Sequence, residues 1–303
     1  MASLITTVHH LLQQKKRCVL MVVTDHEGSS PGRKGFKMVV TAEALLGTIG
    51  GGIMEHKLVE YARSLLLGEA FTPFIKLQIH DKSVAQNQSG MICSGRQTIA
   101  FFDIPSAYKS LFERLVMEAN STLYFSSEGI SLQKPASALW LYSEKLQKQA
   151  QVYIIGGGHV GLALSEVLSR LDFEIHILDH RENLNTMQAN AFAHHKATVE
   201  FEHIEQYIPE GDAVYVVIMS FGYRTDGVII RRLLGRSYQY LGMMGSREKI
   251  ETLKNDLLAE GFTHQQWVQL RAPIGVDIKS ETAPEIAISV AAELIAVKNK
   301  PSL

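Results

Sequence analysis

The chain has 303 residues, 46% hydrophobic and 20% charged, with 30 Lys and Arg balanced by 31 Asp and Glu. That length suggests about two domains with sizeable cores, and the composition is that of an ordinary globular protein. A formal net charge of −1 leaves no electrostatic footprint for nucleic acid or an anionic membrane surface, and no apolar run reaches the roughly 18 residues a membrane helix needs.

Residues 3–16 read as a short amphipathic helix on Leu4, Ile5, Val8, Leu11 and Leu12. This start lacks the basic n-region of a signal peptide, since Lys15-Lys16-Arg17 comes too late. Cys18–Val23 is a continuous apolar run of strand length. A glycine-rich loop follows, Gly28-Ser29-Ser30-Pro31-Gly32-Arg33-Lys34-Gly35, then a strand from Phe36 to Val40. Leu45–Ile49 leads into a second loop, Gly50-Gly51-Gly52, which opens a helix over about 54–67. Strands at 74–79 and 97–102 bracket a small-residue loop ending Cys93-Ser94-Gly95. Residues 106–119 have helical periodicity, and 122–132 strand character with Ser-Ser-Glu-Gly as a turn. Two cysteines, Cys18 and Cys93, make no disulfide framework, so a cytoplasmic location is expected.

The stretch 143–150 is the most polar of the middle of the chain, which sets a domain boundary at 145/146. Beyond it Val152-Tyr153-Ile154-Ile155 runs into Gly156-Gly157-Gly158-His159-Val160-Gly161, a helical pattern, and a second apolar run that ends in Asp179. Strand, glycine turn, helix, strand and acid make the first βαβ unit of a dinucleotide-binding fold. Gly156 allows the tight turn, Gly158 lets backbone approach a pyrophosphate, and Gly161 lets helix pack on strand. The helix N-terminus offers bare N–H donors and a positive dipole end. Asp179, with its carboxylate at the end of the second strand, is placed to accept ribose hydroxyls and to repel a 2′-phosphate, so a bound dinucleotide is expected to be NAD rather than NADP. Alternation continues with strands at 213–219 and 238–241 and helices at 225–234, 246–260 and 283–297. The fold class is therefore α/β: residues 1–145 as a mixed α+β domain, then 146–303 as a Rossmann-type doubly wound parallel sheet.

Most of the candidate residues have two readings. The loop Gly28–Gly35, with Ser29, Ser30, Arg33 and Lys34, can wrap a phosphate or be a hairpin with surface cations. Glu55 either binds a ligand or caps its own helix. Cys93 is either a reactive thiol able to touch metal or sulfur or an inert one. His159 lies where a nucleotide phosphate would sit, or is a surface turn residue. The pairs His9-His10 and His194-His195 do not chelate, because adjacent residues on a helix diverge, and no structural metal is expected. Ser220 lacks a nucleophile elbow.

Three motifs, Gly28–Met38, Thr48–Glu55 and Cys93-Ser94-Gly95, resemble those of the XdhC/CoxI family, the accessory factors of xanthine dehydrogenase and related molybdenum hydroxylases. The second half is similar to that family too, at Ile154–Gly161, Leu241–Arg247 (with Gly245, Ser246 and Arg247), Ala272–Asp277 and Thr282–Ala287. Four positions depart from the family pattern: Gly32 stands where Arg is usual, Ser94 where Gly is usual, Ile53 where Cys is common, and Ser220-Phe221-Gly222 where Thr-His-Asp is usual, with Asp226 kept. The resemblance implies a carrier more than an enzyme. It would hold the molybdopterin form of the molybdenum cofactor through the N-terminal loops, protect it during sulfuration, and deliver it to a xanthine dehydrogenase-type hydroxylase. It further implies Cys93 as a metal contact, a cysteine desulfurase as sulfur donor, a homodimer, and NAD or another nucleotide in the Rossmann domain. Two rivals stay open: an NAD(P)-dependent oxidoreductase, and a Rossmann protein that docks or senses nucleotide without turnover.

Overall fold

The computed structural model describes residues 2–79, 95–117, 121–146 and 148–299. The chain forms two compact units, Met1–Lys148 and Gln149–Leu303.

In the first unit, α1 (Ala2–Gln13) precedes β1 (Cys18–Gly28), β2 (Lys37–Val40), β3 (Leu45–Gly47), α2 (Gly52–Leu67), β4 (Phe74–Ile79) and β5 (Gly95–Ile104). The strands pair antiparallel in the order β3-β2-β1-β5-β4. The apolar run at the start of β1 is continuous because both its faces are covered. Val19, Met21 and Val23 meet Met54, Leu58, Val59 and Ala62 of α2. Cys18, Leu20 and Val22 meet Val8 and Leu12 of α1 and Phe112 of α3 (Lys109–Met117). A smaller sheet of β6 (Thr122–Ser126), β7 (Gly129–Ser131) and β8 (Leu141–Lys145) is ordered β7-β6-β8.

β8 runs into the polar stretch that suggested a boundary. Its residues alternate between exposed and buried, so the polarity of 143–145 is that of a half-solvated edge strand, and the division between the units, at 148/149, falls inside the same polar stretch. Tyr142 is buried, and Glu144 is neutralised by Lys37, 2.7 Å away. The expected helix over 106–119 is a short 3₁₀ turn, Ser106–Tyr108, followed by α3.

The second unit contains β9 (Ala150–Ile155), α4 (His159–Leu168), β10 (Phe173–Asp179), α5 (Asn185–Gln188), β11 (His195–Thr198) and β12 (Gly211–Ile218). After these come α6 (Tyr223–Leu233), β13 (Tyr238–Met243), α7 (Arg247–Ala259), α8 (His264–Trp267), β14 (Leu270–Arg271) and α9 (Ala283–Lys298). The sheet is parallel, ordered β11-β10-β9-β12-β13-β14, which is the doubly wound Rossmann order. Leu164 and Leu168 of α4 pack with Val290 and Leu294 of α9 on one face. Ile229 and Ile230 of α6 and Leu253 of α7 cover the other. The chain reverses direction of winding between β9 and β12, so the crevice expected of such a sheet opens at their carboxyl ends. No helix among the described residues is long and apolar enough to cross a membrane.

Candidate functional site

In the first unit the motifs Gly28–Met38 and Thr48–Glu55 meet at one side chain, Gln97 of β5, which has no solvent exposure. Its Oε1 accepts from Ser30 Oγ at 2.5 Å and from Gly32 N at 3.0 Å, while its Nε2 donates to the Ile49 carbonyl at 3.0 Å. The loops themselves touch. A Cβ on Gly32 would lie 2.2 Å from the Ile49 oxygen, one on Gly50 would lie 2.5 Å from Gly32 N, and one on Gly95 would lie 2.7 Å from Ser30 N. That contact explains the glycine after Pro31: at this position backbone occupies the space a side chain would need. Gly32→Ala is expected to cost roughly 1–3 kcal/mol, as overpacking does, read as a lower denaturant midpoint at unchanged slope. A midpoint equal to wild type would mean that the loops part without cost.

With Ser30 and Gly32 turned inward, Gly28, Ser29, Arg33 and Lys34 are exposed. Lys34 lies 5.6 Å from the Tyr142 ring. Beside this loop, Gly35, Phe36, Lys37, Leu46, Gly47, Thr48 and Leu4 line a depression of about 340 Å³. Burial pushes the Lys37 ammonium down, against the pull of Glu144.

Glu55, in the first turn of α2, is committed to its own loop. Its Oε2 accepts from Thr48 Oγ1 at 2.5 Å, Ile49 N at 2.8 Å and Gly51 N at 2.9 Å. Burial pushes its carboxyl up, but these donors outweigh that and hold it below the usual range. The capping role is the one the geometry supports. The glycine triplet has therefore given its Gly51 donor to Glu55, as the preceding Ile49 has given its own, although the space beside Gly51 is open. Cys93 lies outside the described residues.

In the second unit the glycine turn is built as its sequence predicts. Gly156 has φ +127°, and a Cβ there would lie 2.3 Å from the Met219 oxygen; one on Gly161 would lie 2.1 Å from the Gly156 oxygen. Gly158 caps α4 with open space around it, and His159 is exposed as the first helical residue.

Asp179 is where the spacing puts it, at the end of β10, but it is 1% exposed and fully engaged. Arg181 grips both oxygens, Nε to Oδ1 at 2.9 Å and Nη2 to Oδ2 at 2.8 Å. Arg181 N and Gly157 N donate as well, at 2.9 and 2.8 Å. Burial pushes this carboxyl up, and the Arg181 and backbone donors more than reverse it, down to about 2. Leu184 and Met187 crowd Gly157, whose carbonyl accepts from Thr186 Oγ1 at 2.5 Å. Both carboxylate oxygens of Asp179 are thus engaged from within the chain.

Gly245-Ser246-Arg247 forms a helix start: Ser246 Oγ caps Lys249 N at 3.2 Å, and Arg247 is exposed. Thr282 and Glu285 form a capping box for α9. Past the end of β12, Ser220 Oγ donates to the buried Asp226 at 2.5 Å, and Lys249 pairs with the other Asp226 oxygen. Burial pushes the Asp226 carboxyl up despite these partners. Phe221 stands 83% exposed between them. Sequence reasoning missed Gln97 and Lys249. Gln97 looks like any polar residue in a strand, and Lys249 is three residues into an ordinary helix start.

Residues 152–294 match the XdhC Rossmann domain and residues 11–74 the XdhC and CoxI family, ranges that together take up more than half the chain. The chain is 25% identical over 311 residues to the uncharacterized protein YqeB of Escherichia coli, covering 98% of this chain but only 46% of that longer protein. It is 20% identical over 338 residues to a Bacillus subtilis protein described as a probable subunit of xanthine dehydrogenase, covering 99% of each. A crystal structure described as a xanthine dehydrogenase from Bacillus halodurans shares the fold, with a TM-score of 0.78 at 19% identity over 98% of this chain and 96% of that one. The chain belongs to the XdhC and CoxI family.

Proposed function

We propose that this chain is an accessory protein of a xanthine dehydrogenase-type molybdenum hydroxylase. It holds the molybdopterin form of the molybdenum cofactor while its terminal sulfur is installed, and passes it to the apo-hydroxylase. The observation that carries the reading is the locking of two family motifs, Gly28–Met38 and Thr48–Glu55, around buried Gln97, with Ser29, Arg33 and Lys34 left facing outward. These residues fit a phosphate-bearing group: two cations and a hydroxyl sit on a loop whose backbone is held from behind. Arg33 and Lys34 would make charge-assisted bonds to the phosphate, and Cys93 is the thiol proposed to meet the metal or its sulfur. When bound, the cofactor supplies the molybdenum centre; the chain's own residues bind, orient and shield it. A cysteine desulfurase as sulfur source and a homodimeric assembly complete the proposal.

The Rossmann unit serves in this reading as a scaffold rather than a hydride-transfer site. Its support is the Asp179 carboxylate, whose four hydrogen bonds are all made within the chain.

Chain purified from cells that make molybdopterin is expected to carry the cofactor. The Arg33→Ala/Lys34→Ala variant should retain at least about tenfold less, each charged hydrogen bond being worth roughly 1.5–3 kcal/mol. Measured by pterin fluorescence after oxidative release, equal retention by both proteins would remove this loop from the site.

A further inference from the structure

At the amino ends of the parallel strands, opposite the glycine turn, Glu174 and His176 of β10 and His195 of β11 form a cluster that is separate from the loops above. Residues two apart on a strand share a face, and His195 pairs directly with His176 across the β10–β11 ladder. The three side chains are therefore neighbours by construction. Glu174 Oε1 lies 3.3 Å from His176 Nε2 and 3.1 Å from His195 Nε2, and the three ligand atoms all lie within 4.8 Å of one another.

We propose that Glu174, His176 and His195 bind a divalent transition-metal ion of the zinc class, through one carboxylate oxygen and two imidazole nitrogens. A tetrahedral ion with bonds of about 2.1 Å has ligand–ligand edges of roughly 3.4 Å, close to the two Glu174–histidine distances. The third edge, between the two histidine nitrogens, is at most 4.8 Å. The two imidazoles are stacked, with centroids 4.5 Å apart and planes 22° apart, and Tyr153 stacks on His176 at 4.3 Å, so the exposed His195 ring has to turn for both nitrogen lone pairs to meet at one ion.

The surroundings orient the set. Gln151 on β9 donates to Glu174 Oε2 at 3.0 Å, which leaves Oε1 facing the histidines. His176 Nε2 is buried and makes no aligned hydrogen bond, its near neighbour being Glu174 Oε1 at 3.3 Å. The neighbouring His194 is turned away, its Nδ1 accepting from Ile175 N at 3.0 Å. Two imidazoles and one carboxylate select Zn(II), Co(II), Ni(II) or Cu(II) over Mg(II) and Ca(II), which take oxygen sets. Three protein ligands leave a position for water. The ion would also pin β11, a four-residue edge strand, to its neighbour.

The test uses the full chain stripped with a chelator, titrated with Zn(II) by calorimetry and with Co(II) by visible absorption. One equivalent of Zn(II) is expected to bind and to raise the melting temperature. Co(II) should give ligand-field bands without thiolate charge transfer. His195→Gln, at a side chain 62% exposed and therefore safe for folding, should weaken Zn(II) by more than the roughly 10–100-fold that losing an outer-shell partner costs. Glu174→Gln should do the same, and Cys93→Ser should change nothing. Zn(II) affinity unchanged in His195→Gln and Glu174→Gln would overturn the site and leave a hydrogen-bonded Glu–His pair. So would binding that is lost in Cys93→Ser.

Discussion

Gln97→Leu is expected to destabilise the first unit by at least about 3 kcal/mol. The side chain is fully buried and of similar size to leucine, so little volume changes. What changes is that Gly32 N–H and the Ile49 carbonyl lose their bonds to the amide, and the Ser30 hydroxyl loses one of its interactions. Each buried group deprived of its partner costs roughly 1–3 kcal/mol. The loops it held are the ones proposed to bind the cofactor, so retention should fall together with stability. Guanidinium unfolding and cofactor content measured on one preparation check both. A stability loss below about 1 kcal/mol would show that backbone contact alone holds the two motifs together.

Arg181→Ala is expected to act in two directions. Removing one partner of a buried pair typically costs roughly 3–5 kcal/mol; here two backbone N–H groups still serve Asp179, so about 2–3 kcal/mol is expected. In the wild type the Asp179 carboxyl falls from 3.8 to about 2 on folding. Its contribution, roughly 2 kcal/mol, is complete above about pH 5 and lost as pH falls through 2. Without the guanidinium the folded value rises toward the unfolded one, and that acid-dependent loss should disappear. At the same time the carboxylate becomes available to ribose hydroxyls. NAD affinity should rise at least about tenfold, the equivalent of 1.4 kcal/mol, and NADP should gain less. Micromolar NAD binding by the wild type, with no gain in the variant, would mean that Arg181 does not block the position and would return the dehydrogenase reading to favour.

These two residues show where sequence reading reached and where it stopped. The glycine turn, the βα alternation and the acid at the end of β10 are local patterns, fixed by backbone sterics and strand period, and the parallel sheet realises them. That Arg181 folds back onto Asp179 depends on a rotamer and on the crowding of Gly157 by Leu184 and Met187, which no spacing encodes. Gln97 owes its role to partners that lie 43–67 residues away in the chain. Glu174-x-His176 is a period-two pair in the sequence, yet it gains a third member only because polar β11 pairs with β10. Adjacent histidines diverge on a helix, but His195 is in a strand, where its partner comes from the neighbouring strand and not from His194.

Cys18 gives the chain a useful chemical silence. The thiol has no exposure within β1, and burial, reinforced by Asp103, pushes its ionisation up to about 12. Alkylating agents and disulfide reagents attack the thiolate, so at neutral pH this sulfur is shielded twice, by packing and by protonation. The chain has two cysteines. Any label that the folded protein takes up is therefore attributable to Cys93, and reagent uptake with and without cofactor reports on that one atom without any substitution.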